Sequence, residues 1–231
     1  MQSAKKIRSV LLGSFFSFLV PLLAFLYLKY KGHDGHIAMP KHYVIDSIAQ
    51  NIRDNKNVPD TFFHQISNLK LLNQLGDSIG LVQNFEGKIL VVNFFFTTCQ
   101  TICPTLTKNM ALLNKAFIKN DTALRFVSIS VDPITDSVNR LRMYADKYHA
   151  NHDKWFFATG NKKEIYAFAR QELQLNLDEG SGDENDFIHP EKFVLIDKYR
   201  NIRGYYNGLD SNNVRLCAED IARLIVEKKK K

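Results

Sequence analysis

The run Lys88-Ile-Leu-Val-Val-Asn-Phe-Phe-Phe96 constrains the fold more than any other segment. From Ile89 to Phe96 it is a continuous apolar run apart from Asn93. Such a run reads as a central strand covered on both faces. Directly after its turn, Pro104 to Lys119 places Leu106, Met110, Leu113 and Phe117 three or four residues apart. That period predicts a helix, and Pro104 suits its first turn because no N–H partner is needed there. The same alternation continues. Leu124–Val131 reads as a strand, Asp136–His149 as a helix with Asp136 as its cap, and Trp155–Ala158 as a short strand. Lys162–Leu173 reads as a third helix. Lys192–Asp197 and Ile202–Tyr206 read as two strands of a hairpin, and Asn213–Lys228 as a terminal helix with Val214, Cys217, Ile221 and Leu224 on one face. The order β-α-β-α-β-α-β-β-α predicts an α/β layered domain, with helices over a mixed sheet whose last two strands are antiparallel.

A second apolar run lies at the N-terminus. Residues 10–28 carry no charge over 19 positions, about the length that crosses a bilayer as a helix. Pro21 is tolerated in such a helix. Lys5, Lys6 and Arg8 in residues 1–9 favour a cytoplasmic N-terminus, which puts the main domain outside. A cleaved signal peptide is the competing reading. However, the run is longer than a usual signal core, and no small-x-small cleavage pattern follows Leu28. Nor does a lipid-bearing cysteine follow it. The sequence therefore predicts a single-pass anchor over 10–28, a linker over 29–57 and a folded domain over 58–231. The basic N-terminus lacks an Arg/Ser-rich presequence, which favours a bacterial inner membrane with the domain on the periplasmic side. The linker holds His33, His36, Met39 and His42. It reads first as a solvated tether, although a Met/His tract can also collect copper ions.

The net charge of +7 sits largely at the chain's ends, in the residues flanking the anchor and in Lys228–Lys231. The body is near neutral, with its basic residues scattered, which argues against nucleic-acid binding.

The chemistry gathers in Phe96-Thr-Thr-Cys99-Gln-Thr-Ile-Cys103-Pro104. Cys99 lies in the strand-to-helix turn and Cys103 at the helix start. A helix N-terminus carries partial positive charge and favours thiolate over thiol. Two such thiolates can cycle between dithiol and disulfide, or can hold a soft metal ion. Three residues separate the cysteines, where a thioredoxin-type redox motif has two. A disulfide closing so short a loop gains little chain entropy, so a purely structural bridge is the weaker reading. His189, in Asp186-Phe-Ile-His189-Pro190, lies just before a strand, in a loop that can reach the same edge of the sheet. Two thiolates and an imidazole suit Cu(I) and adapt to Cu(II) with an added ligand. Asp178 to Asp186 is an acidic stretch, read as a solvated loop. Cys217 reads as a core residue.

Taken together, Asn93-Phe-Phe-Phe-Thr-Thr-Cys99, Cys103-Pro104, Ser128-Ile-Ser-Val-Asp132-Pro133 with Asp136, Trp155, Thr159-Gly160, and His189 followed by Phe193-Val-Leu-Ile-Asp197 resemble the Sco/SenC family. These are thioredoxin-like copper proteins of cytochrome c oxidase assembly. The resemblance covers roughly residues 58–226 and the single N-terminal anchor. It implies a thioredoxin-like fold and a copper site of Cys99, Cys103 and His189. It also implies delivery of that copper to an oxidase subunit, or reduction of that subunit's cysteines so that they can accept metal, with a thiol reductant or an upstream copper donor as a further partner. Where family members often carry Pro after the first cysteine, this chain has Gln100. Two other functions fit the same cysteines: thiol–disulfide exchange by Cys99 and Cys103, with His189 dispensable, and redox or copper sensing. A peroxide-reducing site is a weaker variant, since no activating arginine accompanies the cysteines.

Overall fold

The structure is a computed structural model that describes residues 17–27, 38–53, 56–117, 122–175 and 191–227. It divides into two units, Met1–Ala38 and Met39–Lys231. In the first, residues 17–27 form helix α1, with Phe18, Val20, Leu22, Leu23, Phe25 and Leu26 exposed. Among the described residues no helix is long and apolar enough to cross a membrane. Residues 10–16 and 28 of the expected anchor lie outside them.

The second unit opens with β1 (Ile45–Arg53) and β2 (Lys56–Phe63), paired antiparallel as a separate two-stranded sheet. Both β1 and the start of β2 fall in the stretch read from sequence as a polar linker. Next come the short β3 (Lys70–Asn73) and β4 (Ser78–Gly80), then β5 (Ile89–Phe95), α2 (Cys103–Ala116), β6 (Leu124–Ser130), α3 (Val138–Lys147) and β7 (Trp155–Thr159). The chain closes with α4 (Lys162–Ala167), β8 (Lys192–Ile196), β9 (Ile202–Asn207) and α5 (Ser211–Val226). The third helix expected over Lys162–Leu173 is not uniform. It is α-helical to Ala167 and then widens into a π-helical turn over Phe168–Glu172.

One seven-stranded sheet carries the domain, in the order β4-β3-β7-β6-β5-β8-β9. The long apolar run is its centre. β5 pairs parallel with β6 and antiparallel with β8, and every residue from Ile89 to Phe95 is buried. Because successive side chains point to opposite faces, β5 feeds two cores. Leu90, Val92 and Phe94 join Val127, Ile129, Ile165 and Phe168 on one face. Ile89, Val91 and Phe95 join Leu106, Met110, Leu141, Cys217 and Ile221 on the other. Cys217 is thus a core residue, fully buried on α5.

Asn93 interrupts the apolar run yet is 1% exposed. A buried amide must be bonded. Its Oδ1 accepts from Ser128 Oγ at 2.6 Å, and Ser128 Oγ in turn accepts from Trp155 Nε1 at 2.9 Å. This chain of bonds fixes the side-by-side register of β5, β6 and β7 in the core. The antiparallel β8–β9 hairpin forms as expected, joined through residues 197–201.

Candidate metal and dithiol site

β5 ends at Phe95 and α2 begins at Cys103, so the seven-residue turn between them carries Cys99. This is the carboxyl end of a central strand, where functional loops concentrate in open α/β sheets. The Cys99 N–H donates to the Phe96 carbonyl at 3.2 Å, folding the turn back on the strand end. α2 has Ile102 at its N-cap, a residue without a side-chain acceptor. The first N–H groups of a helix have no partner within it and need an acceptor. Here the Cys103 N–H donates to Cys99 Sγ at 3.4 Å. The sulfur therefore stands in for a capping oxygen. Thr101 Oγ1 lies 3.7 Å from the same sulfur.

The two thiols differ in acidity. Burial alone would raise Cys99, but the hydrogen bonds from the Cys103 thiol and backbone, and then from Thr101, outweigh it and lower its pKa below the usual thiol value. Burial dominates at Cys103 and pushes it up to about 12; the negative charge of Cys99 and that of Asp136 act in the same direction. Cys99, Cys103 and Cys217 are all free. In the reduced, metal-free chain Cys99 is thus expected to react with iodoacetamide well before Cys103. Peptide mass mapping after brief alkylation at neutral pH checks the order. Equal labelling of the two would contradict the assigned polarity.

Around the turn, the Thr107 hydroxyl donates to the Cys103 carbonyl at 2.8 Å and lies 3.1 Å from the Tyr144 hydroxyl. Asp136 does not cap α3 as the sequence predicts. Ser137 takes that place, extended in backbone and accepting from the Arg140 N–H. Asp136 instead turns inward, fully buried, and accepts from the Thr97 N–H, the Thr97 hydroxyl and the Ser130 hydroxyl. A faint signal existed in Ser130, a small polar residue that ends the mostly apolar β6. Asp132 serves its turn, with Oδ1 accepting from the Thr135 N–H at 3.3 Å.

The structure brings Cys99 and Cys103 together. His189 and the acidic stretch 178–186 lie outside the described residues, as do His33, His36 and Lys228–Lys231. Among the described residues, no three His, Cys, Asp or Glu side chains gather as a metal site. His42 of the Met/His tract stacks on Phe63 with ring centroids 4.1 Å apart, and its Nε2 lies 3.9 Å from Asp197. The donor set that is present fits a soft ion. Two sulfurs on one turn, one of them with lowered pKa, match the preference of Cu(I) for thiolate.

The SCO1/SenC family profile matches residues 62–226. The SCO1 protein homolog of Bacillus subtilis (strain 168) is 29% identical over 157 residues, 68% of this chain and 80% of that protein. The crystal structure of a SCO1/SenC family lipoprotein from Bacillus anthracis str. Ames superposes with a TM-score of 0.63 at 31% identity, covering 70% of this chain and 95% of that one. BsSco, a member of the Sco family of cytochrome c oxidase assembly proteins in which a disulfide switch was identified, superposes with a TM-score of 0.61 at 28% identity, covering 72% and 96%. The mixed sheet with flanking helices is that of these thioredoxin-like structures.

Proposed function

Since this chain belongs to the SCO1/SenC family, we propose that it is a copper-binding protein that carries Cu(I) on Cys99 and Cys103, with His189 as third ligand, to a copper-accepting subunit of cytochrome c oxidase. The single observation that carries this reading is the capped turn, which holds two free thiols at one helix N-terminus with the N–H of one donating to the sulfur of the other. Copper is cargo here. It leaves by ligand exchange: a partner thiolate bonds to the ion as one of the chain's sulfurs lets go, with no change in oxidation state. We place the chain on a bacterial inner membrane, anchored by residues 10–28 with its domain in the periplasm. The uninterrupted apolar run and the basic residues before it support this placement.

A second reading has its own support in the unequal thiols. A Cys99 thiolate would attack one sulfur of a partner's disulfide, forming a mixed disulfide and releasing the partner's other sulfur as thiolate. Cys103 would then displace the first, leaving a Cys99–Cys103 disulfide and a reduced partner dithiol. The two electrons come from the chain's own dithiol. His189 separates the readings, because copper holding uses it and exchange does not.

The test is competition for Cu(I) between the reduced full-length chain in detergent and a chromophoric chelator, beside His189→Ala. One-to-one binding that weakens in the variant by about tenfold or more, ~1.4 kcal/mol, supports the three-ligand carrier. Binding indifferent to His189 removes that ligand. Absence of tight binding moves the function to thiol–disulfide exchange.

A further inference from the structure

Asp136 is a fully buried carboxylate below the dithiol turn, and neither proposed reading uses it. It stands where three segments meet. Its oxygens take the Thr97 N–H (3.1 Å to Oδ2) and the Thr97 hydroxyl from the end of β5, and the Ser130 hydroxyl from the end of β6. Its own N–H donates to the Asp132 carbonyl at 2.9 Å, closing the turn that leads into α3. Ser130 Oγ is tied further, accepting from the Asp132 N–H at 3.1 Å. Thr97 is the second residue beyond the strand and the second before Cys99.

We propose that Asp136 is the positioning residue of the dithiol turn: through Thr97 it fixes the exit of β5 and thereby the place of Cys99 relative to Cys103. The inference deepens the copper reading and rests on it for its copper-binding consequence only. The chemistry requires a carboxylate. Three donors converge on this point, and an ionised carboxylate offers about four lone-pair sites and no hydrogen. An amide in its place has one oxygen and adds two donors to a spot already filled with donors. A hydroxyl is too short to bridge both strands. Losing one buried bond of this kind leaves a donor unsatisfied and away from water, at a desolvation cost. The turn can escape that cost only by moving, and Cys99 moves with it.

The test compares Asp136→Asn, Thr97→Val and Thr97→Ser in the reduced full-length chain. Two quantities are read: Cu(I) affinity by chelator competition, and the equilibrium constant for forming the Cys99–Cys103 disulfide from glutathione disulfide, two glutathione thiols being released. The second reports how well the two sulfurs are held for each other, whether or not copper binds. Asp136→Asn is expected to lower both by about tenfold or more, which for the disulfide is ~30 mV. Thr97→Val, which loses the hydroxyl bond but keeps the N–H bond, falls between Asp136→Asn and the parent chain. Thr97→Ser, which keeps both, matches the parent. Urea midpoints are measured beside these. A variant that loses stability while both constants hold would show that Asp136 serves the fold alone and would overturn the proposal. Thr97→Ser falling as far as Thr97→Val would overturn it too. If Asp136→Asn does not fold, the Thr97 pair decides. If the parent chain does not bind Cu(I), the copper reading fails on its own, and the disulfide constant still decides the role of Asp136.

Discussion

Cys99→Ser and Cys103→Ser are each expected to lower Cu(I) affinity by about a thousandfold or more, ~4 kcal/mol. Serine keeps the size and loses the soft donor. Its hydroxyl stays protonated at neutral pH and is a poor ligand for Cu(I), whereas thiolate is among the best. Chelator competition on each variant measures the loss directly. A loss under about tenfold for either one would mean that the ion sits elsewhere. The two variants also differ in a second respect. Cys99 Sγ accepts the Cys103 N–H, a role that serine oxygen fills at least as well at a helix start. Cys99→Ser should therefore fold normally, and its defect can be read as loss of the ligand. The pH dependence follows from the raised partner. Cys103, pushed up to about 12 from its ordinary 9.0, is protonated in the metal-free chain throughout the neutral range. Copper must displace that proton, so apparent affinity falls with acid by about tenfold or more per pH unit between pH 8 and pH 6. A flat profile over those two units would show that the ion does not take a thiolate from Cys103.

The parts of this chain that are legible in its sequence are those where burial is complete. β5 is covered on both faces, so its sequence could not avoid being apolar from Ile89 to Phe95 apart from Asn93. α2, α3 and α5 each bury one face, and their periodicity follows. The β1–β2 hairpin was hidden for the opposite reason. It forms its own two-stranded sheet, Ile45 and Ile48 are more than half exposed, and Pro59 lies in its second strand. Among its described side chains no face is buried, so there is no alternation to detect. β3 and β4, at four and three residues, are too short to show a period. At the site, Cys99 and Cys103 stood out because a closely spaced thiol pair at the end of an apolar strand is itself a chemical signal. Asp136 did not stand out. Asp136 and Ser137 are adjacent and both are capping types, and nothing local says which one faces the helix and which the core. That choice is made by Thr97 and Ser130, which lie far along the chain or on another strand and converge only in the folded sheet. Thr97-Thr98-Cys99 was legible as the chemical turn, but what holds the turn in place was a property of the tertiary structure.

Arg203→Met is expected to destabilise the domain by about 3–5 kcal/mol, the usual cost of stranding one partner of a buried ion pair. Arg203 is 2% exposed on β9. Its Nη1 donates to Asp197 Oδ2 at 2.9 Å and its Nη2 to Glu227 Oε1 at 3.0 Å. Nε and Nη2 also reach the Pro40 carbonyl, at 3.1 and 2.7 Å. One guanidinium thus joins the β8–β9 turn, the residue after α5 and the segment leading to β1. Methionine preserves much of the volume but none of the donors. Glu227, at 20% exposure, can turn to water, but Asp197, at 1%, cannot. The loss comes less from the missing attraction than from a buried carboxylate left without the guanidinium, and from the Pro40 carbonyl, which loses two donors. A second substitution separates these causes. Asp197 Oδ1 already accepts the Tyr199 N–H at 2.8 Å and the Asn201 N–H at 3.0 Å, which shape the turn. Asp197→Asn retains an oxygen for both and removes the charge. In the Arg203→Met background it should recover at least about half of the lost stability, although the same change in the parent chain should destabilise. Urea unfolding followed by the fluorescence of Trp155, the only tryptophan and a buried one, measures all four chains. A cost below about 1 kcal/mol for Arg203→Met, or no recovery in the double variant, would show that the network is not held by its charge. The dithiol turn lies at the carboxyl end of β5, away from the β8–β9 turn that Asp197 begins, so Cu(I) affinity measured below the unfolding range should be unchanged by Arg203→Met. Stability and copper binding are then separable properties of one sheet, each resting on its own buried carboxylate.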